Sequence, residues 1–249
     1  MPITCQPDQI HELVPLPPEV YFMGIDSGVR HAVSGASYGE VRAAAFMGYT
    51  LAALAHGATP SDLAEARRSG RWSSLPFGGY LANISPADFE EHVVPRLPSS
   101  ISGAEFLEQY GPSLDEVAPL LPDRMYRVLA CASHPVYEQF RVRHFLDSLE
   151  ALNAGKASLP SELRKMGRIM YESHGSYTEV GLGNEQTDRL VELVQQAGPE
   201  AGLYGAKITG GGSGGTVCIL AQGERGRASV KAIHRKYEEE LGRFVKLFE

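Results

Sequence analysis

Gly205-Ala206-Lys207-Ile208-Thr209-Gly210-Gly211-Gly212-Ser213-Gly214-Gly215-Thr216-Val217-Cys218-Ile219-Leu220 decides the reading of this chain. Five of the six residues from Gly210 to Gly215 are glycine, and an apolar, β-branched run follows at once. Such a loop can turn successive backbone N–H groups toward an anion, with no side chain in the way. Taken on composition alone, a tight or flexible turn is the competing reading. Gly210, Gly212 and Gly215 satisfy GxGxxG, but a dinucleotide-binding fingerprint has a strand before the glycines and a helix after them. Here a strand follows. A P-loop ends in Gly-Lys-Ser/Thr, and no lysine stands there. The segment is a glycine loop that enters a strand.

Outward from that loop, the C-terminal end is well marked. Thr216 to Leu220 reads as a strand, Arg227 to Leu241 as a helix and Phe244 to Phe248 as a final strand. Upstream, helices are expected over Glu185–Gln196 and Ser161–Ser173. Another is expected from Val136 to Leu152, opened by His134-Pro135. Tyr21 to Ile25 reads as a strand running into a turn at Asp26-Ser27-Gly28, and Tyr38 to Leu54 as a long buried helix despite Gly48. Thr59-Pro60-Ser61-Asp62, Ser85-Pro86-Ala87-Asp88 and Ser102-Gly103-Ala104-Glu105 each place a hydroxyl at an N-cap and a carboxylate at N3. Residues 56–125 therefore read as short helices and loops. Helical hairpins followed by a β-α-β close argue for an α+β fold with a mixed or antiparallel sheet.

Composition narrows the function. The 249 residues carry 23 Lys+Arg against 30 Asp+Glu, a net charge of −7, with 43% hydrophobic and 21% charged residues. That is ordinary for a globular protein and excludes wholesale disorder. A net negative chain is a poor ligand for nucleic acid, whose phosphates demand clustered cations. No run of about 18 apolar residues occurs and no secretory leader is read at the start, so neither a membrane nor a nucleic-acid partner is expected. Cys5, Cys131 and Cys218 are odd in number and widely spaced, which argues against a disulfide framework and for reduced thiols in a cytoplasmic protein.

Ser173 and His174 are adjacent at a helix end, with no third member of a catalytic triad, so His174 is expected to be structural. Glu172 and His174 find no further ligand at useful spacing, and no metal site is expected. Glu238-Glu239-Glu240 and Arg67-Arg68 read as solvated faces.

The glycine loop entering a strand resembles the third conserved motif of the GHMP kinases, the small-molecule kinases that include galactokinase. Asp26-Ser27-Gly28-Val29-Arg30-His31 with Ser37-Tyr38 and Arg42, and Met170-Tyr171-Glu172-Ser173-His174, resemble galactokinase segments. Gly24-Ile25-Asp26-Ser27-Gly28, His134-Pro135-Val136-Tyr137-Glu138, Gly181-Leu182-Gly183 and Leu203 to Val217 resemble plant-type L-arabinokinases more closely still. The resemblance covers nearly the whole chain. It implies a GHMP kinase C-terminal domain, a ferredoxin-like α+β fold with helical additions. It further implies that residues 1–35 are trailing strands and crossover of an N-terminal domain. Residues 36–249 would be the C-terminal domain, with 56–125 inserted.

The activity so implied is ATP-dependent phosphorylation of a sugar at its anomeric hydroxyl, with ATP and Mg²⁺ as cofactors and a small sugar as partner. Tyr38 matches a tyrosine that hydrogen-bonds a sugar hydroxyl. Asp26 stands where galactokinases commonly have asparagine, and would either accept a sugar hydroxyl or cap its turn. Arg30 matches an arginine near the nucleotide phosphates. Gly210, Gly211, Gly212, Ser213, Gly214 and Gly215 would border the phosphates and the sugar through backbone N–H groups. Three family elements do not occur in this sequence: the Arg-x-Asn-Leu-Ile-Gly-Glu-His sugar motif, the Gly-Leu-Ser-Ser-Ser phosphate loop and the Met-Asp-Gln segment with the catalytic aspartate. No catalytic residue is therefore assigned. The chain is expected to be the C-terminal portion of a larger kinase, inactive without an N-terminal half in the same or a separate chain. The alternative is a galactokinase-like sugar-binding or regulatory protein without catalysis.

Overall fold

A computed structural model describes residues 2–5, 8–29 and 36–249. Two short strands, β1 (Ile3–Cys5) and β2 (Asp8–Ile10), pair as an antiparallel hairpin. They are followed by β3 (Val20–Asp26), α1 (Ala36–Ala55), α2 (Pro60–Ser69) and α3 (Pro86–Asp88). Next come β4 (Ile101–Ser102), α4 (Gly103–Tyr110), β5 (Met125–Tyr126) and α5 (Val128–Asn153). The chain closes with α6 (Leu159–Glu179), α7 (Glu185–Ala197), β6 (Leu203–Ile208), β7 (Thr216–Gln222), α8 (Gly223–Leu241) and β8 (Leu247–Phe248).

The chain divides into two compact units. The first comprises residues 1–31, 142–175 and 183–249. Its sheet has four strands in the order β6-β7-β3-β8, and every pairing is antiparallel. Alternation along the strands decides which helices cover which face. Met23, Ile25, Val217, Ile219 and Ala221 pack with Leu190 and Val194 of α7 and Val230 and Tyr237 of α8. Val20 and Leu220 point the other way, onto Leu149 of α5 and Leu163, Met166 and Met170 of α6. A sheet buried on both faces requires near-continuous apolar strands, and Val217 to Ala221 supplies one. β3 pairs with β7 from Val20 to Asp26, so it is an interior strand of this sheet.

The second unit comprises residues 32–141 and 176–182. Met47, Tyr49 and Ala52 of α1 form its centre, packed with Phe89, Phe106, Val128, Ala132 and Val136. α1 and α5 cross closely: a Cβ on Gly48 would lie 2.4 Å from Ala132 Cβ. This crossing explains the glycine expected inside α1 and one departure from the sequence reading. Gly48 sits inside the helix because α5 needs the space. α5 also begins at Val128, well ahead of His134-Pro135, and carries Pro135 in its interior. Burial of Val128, Ala132 and Val136 outweighs the backbone hydrogen bond that proline forfeits. The capping signals divide too. Thr59 and Asp62 form a reciprocal box, whereas Ser85 and Ser102 each accept from their N3 backbone N–H.

β6 was not read as a strand. It carries Gly205 and Lys207, its pairing with β7 has an irregularity between Leu203 and Gly205, and its apolar residues do not alternate cleanly.

Candidate functional site

The glycine loop is the turn of the β6–β7 hairpin, from Thr209 to Gly215. Thr209 closes its base twice: its N–H and its hydroxyl both donate to the Thr216 carbonyl, at 3.0 and 2.8 Å. The second half is pinned to the turn after β3. Ser27 N–H donates to Gly215 O at 2.8 Å, and Gly215 N–H donates to Val29 O at 3.2 Å. Gly212, Ser213, Gly214 and Gly215 all have positive φ. Ser213, at φ 59°, bears a left-handed conformation that costs a non-glycine residue about 1–2 kcal/mol. At Gly214 a side chain is barred by φ 130° and by Val29 O, which a Cβ would meet at 2.9 Å. The loop is thus a built shape, held open for close backbone approach. Gly215 N–H is engaged within the protein by its bond to Val29 O.

Asp26 ends β3 opposite Thr216, and its Oδ1 accepts from Gly28 N–H at 2.9 Å. That Asx turn is the capping role weighed for it above. Two contacts that were not legible in the sequence hold the same turn. Tyr237 of α8 donates its hydroxyl to Ser27 O at 2.8 Å, and burial pushes its pKa up to about 12, keeping the donor protonated. Arg243 donates to Gly28 O and sets an exposed guanidinium at the turn. Arg30 lies outside the described residues.

His174 is structural in this unit. It is buried, accepts from Ile208 N–H through Nδ1 at 3.3 Å, and brings Nε2 to 3.1 Å from Asp188. Desolvation lowers its pKa despite the Asp188 carboxylate. The acidic run of α8 is engaged as well as solvated. Glu240 takes a two-pronged contact from Arg189, and Glu238 accepts from Val245 N–H at 3.0 Å.

Tyr38 is in the second unit, on the first turn of α1, and is 36% exposed. One turn on, Arg42 grips Asp115 through Nε and an Nη at 2.7 and 2.9 Å. Burial pushes the Asp115 carboxyl up, but Arg42 and the N–H groups of Val117 and Ala118 win and hold it below its usual value. Asp115, with Tyr38 adding to it, raises the Arg42 pKa in turn. The motif around His134 gathers here too. His134 Nδ1 lies 2.8 Å from Ser176 Oγ, and its ring packs edge-on against Tyr177 at 4.9 Å. Burial, Glu138 and Tyr38 raise the Tyr177 pKa. Tyr38, Arg42 and the His134–Glu138 segment, distant in sequence, therefore share one neighbourhood. Cys131 and Cys218 are free, and burial pushes the Cys131 thiol up to about 11, which makes it inert. Among the described residues no helix is long and apolar enough to cross a membrane.

Residues 148–240 match the family described as GHMP kinases C terminal. The chain is 37% identical to the L-arabinokinase of Arabidopsis thaliana over 265 aligned positions, which cover 99% of this chain and 25% of that protein. The crystal structure of Lactococcus lactis galactokinase complexed with galactose superposes with a TM-score of 0.56 at 21% identity. That match covers 94% of this chain and 45% of the galactokinase. The chain thus spans a quarter to a half of the proteins it is similar to.

Proposed function

We propose that this chain, whose residues 148–240 match the GHMP kinase C-terminal family and whose fold is similar to that of a galactokinase, is the C-terminal portion of an ATP-dependent sugar-1-kinase, of L-arabinokinase or galactokinase type. The observation that carries this is the β6–β7 hairpin turn, a glycine loop braced by Ser27 and Val29 into a shape that admits anionic oxygens against its backbone. Likeness to L-arabinokinase along 99% of the chain supports the substrate class.

On this reading the loop from Gly210 to Gly214 positions the phosphates of ATP, and Arg30 and Arg243 add positive charge beside them. Phosphoryl transfer depends on such positioning and charge stabilisation more than on covalent chemistry by the protein. Tyr38 holds a sugar hydroxyl, and Asp26 acts through its turn. Mg²⁺ would be held by the ATP phosphates and by groups of an N-terminal half, where it supplies charge neutralisation. That half also supplies the phosphate loop and the catalytic aspartate that this sequence does not contain. Residues 36–249 form the C-terminal domain, with 56–125 inserted.

The experiment is reconstitution. The 249-residue chain is mixed or co-expressed with an N-terminal half of an L-arabinokinase, and ATP-dependent formation of sugar 1-phosphate is followed with L-arabinose and with D-galactose. The expected result is activity from the pair and none from the chain alone. Sugar phosphate made by the purified chain alone would overturn the division of labour. A folded, associated pair that phosphorylates neither sugar, yet binds one of them, would favour a sugar-binding or regulatory protein.

A further inference from the structure

His56 directly follows α1, and Asp88 and His92 lie a turn apart on the helical segment that opens at Pro86. The three side chains converge within the second unit, and one ligand atom from each lies within 4.8 Å of the other two. His56 Nε2 is 3.0 Å from Asp88 Oδ2, and His92 Nδ1 is 3.1 Å from Asp88 Oδ1. Two ligands on one tetrahedral zinc ion, each at about 2.1 Å, are about 3.4 Å apart, so small adjustments would seat an ion among them.

The protonation pattern points the same way. His56 Nδ1 lies 2.9 Å from the Ala52 carbonyl oxygen, which can only accept, so Nδ1 carries the proton. In a neutral imidazole Nε2 is then a bare lone pair, and it faces a carboxylate. Nε2 and the Asp88 carboxylate, 3.0 Å apart, are close enough to share one metal ion. A backbone carbonyl on the outer nitrogen is also the arrangement that fixes tautomer and ring orientation in metal-bound histidines. The Phe77 ring stands edge-on to His56 at 4.6 Å and walls one side. Asp88 would ordinarily complete a capping box with Ser85, but its carboxylate meets the two histidines.

We propose that His56 Nε2, His92 Nδ1 and an Asp88 carboxylate oxygen form a binding site for a divalent transition-metal ion of the zinc class. Two imidazoles and one carboxylate suit zinc or cobalt and not Mg²⁺, which prefers oxygen ligands and retains its water. The fourth position opens to solvent on the side of His92, whose side chain is 51% exposed. The ion ties the end of α1 to the helical segment at 86–93. The site is independent of the nucleotide loop, so its test stands whether or not the chain proves to be part of a kinase.

The test uses the whole 249-residue chain, stripped with a chelator. Zn²⁺ is titrated against a chromophoric competitor, and Co²⁺ against its visible ligand-field bands. One ion per chain is expected, with no displacement by Mg²⁺. His92→Gln, at a half-exposed position that leaves the fold intact by circular dichroism, should weaken Zn²⁺ at least about 100-fold, beyond the loss typical of a supporting hydrogen bond. His56→Gln should do the same and abolish the Co²⁺ bands. Replacement of Cys131 and Cys218 by serine should change neither readout. Failure of the folded chain to bind Zn²⁺ stoichiometrically would overturn the site. So would binding that survives the double variant His56→Gln/His92→Gln.

Discussion

Replacing Gly167 by alanine tests the packing that places the glycine loop. Gly167 lies in α6 against β6, the strand that runs directly into the loop. A Cβ there would sit 1.9 Å from the Tyr204 carbonyl oxygen, about 1.5 Å inside ordinary van der Waals contact. Its neighbour is main chain in a sheet buried on both faces, so no side chain can swing aside. Overpacking of this kind costs about 1–3 kcal/mol or more, and a rigid backbone obstacle belongs at the upper end. Alanine recovers about 1 kcal/mol of helix propensity over glycine. The net expectation for Gly167→Ala is a loss of about 2 kcal/mol, which lowers Tm by roughly 4–8 °C in a chain of this size. Gly175, exposed on the same helix with nothing within 4 Å of its Cβ position, is the control. Gly175→Ala should gain up to about 1 kcal/mol. Urea unfolding followed by circular dichroism separates the two by opposite shifts of the midpoint at constant slope. If Gly167→Ala is as stable as Gly175→Ala, the contact between α6 and β6 is not the close one described, and the reasoning fails.

Within the loop, Gly214→Ala should weaken nucleotide binding by the chain paired with an N-terminal half far more than Gly210→Ala. The first meets Val29 O at 2.9 Å and the second meets nothing within 4 Å; equal effects in a fluorescent-nucleotide titration would contradict the bracing by Val29. His174 sets a pH dependence. Desolvation lowers its folded pKa below the ordinary 6.5, so the unfolded chain takes up a proton first as pH falls. Stability contributed by neutral His174 should be full above pH 6.5 and decline below it. In unfolding midpoints compared across that range, His174→Gln should flatten part of the decline, and an unchanged slope would count against burial of the neutral ring.

What the sequence disclosed and withheld follows from how far each interaction reaches. The strand from Thr216 and the helix at Glu185 were legible because their signals are local: a β-branched apolar run, and an Asn184 cap followed by Leu190, Val191 and Val194. The true start of α5 was not, because Pro135 is a strong local signal overruled by burial against α1. The expectation that no metal ligands cluster rested on spacing near Glu172 and His174. The group at His56 joins residues far apart in sequence, and only the pair Asp88 and His92, one helical turn apart, left a trace.

The glycine loop shows the same division within one site. Its composition marks a loop whose backbone can turn N–H groups outward, but composition cannot say which of them the protein itself engages. Ser27 and Val29, at the far end of the chain, fix that by engaging Gly215 on both sides. Tyr237 and Arg243 then hold the Asp26-Ser27-Gly28 turn from α8 and the residues after it. The loop is therefore shaped by a segment that the motif does not contain. Asp26 is the cap of that brace. A carboxylate spent on Gly28 N–H keeps Ser27 and Val29 in register with Gly215, and the loop keeps its shape only while they are.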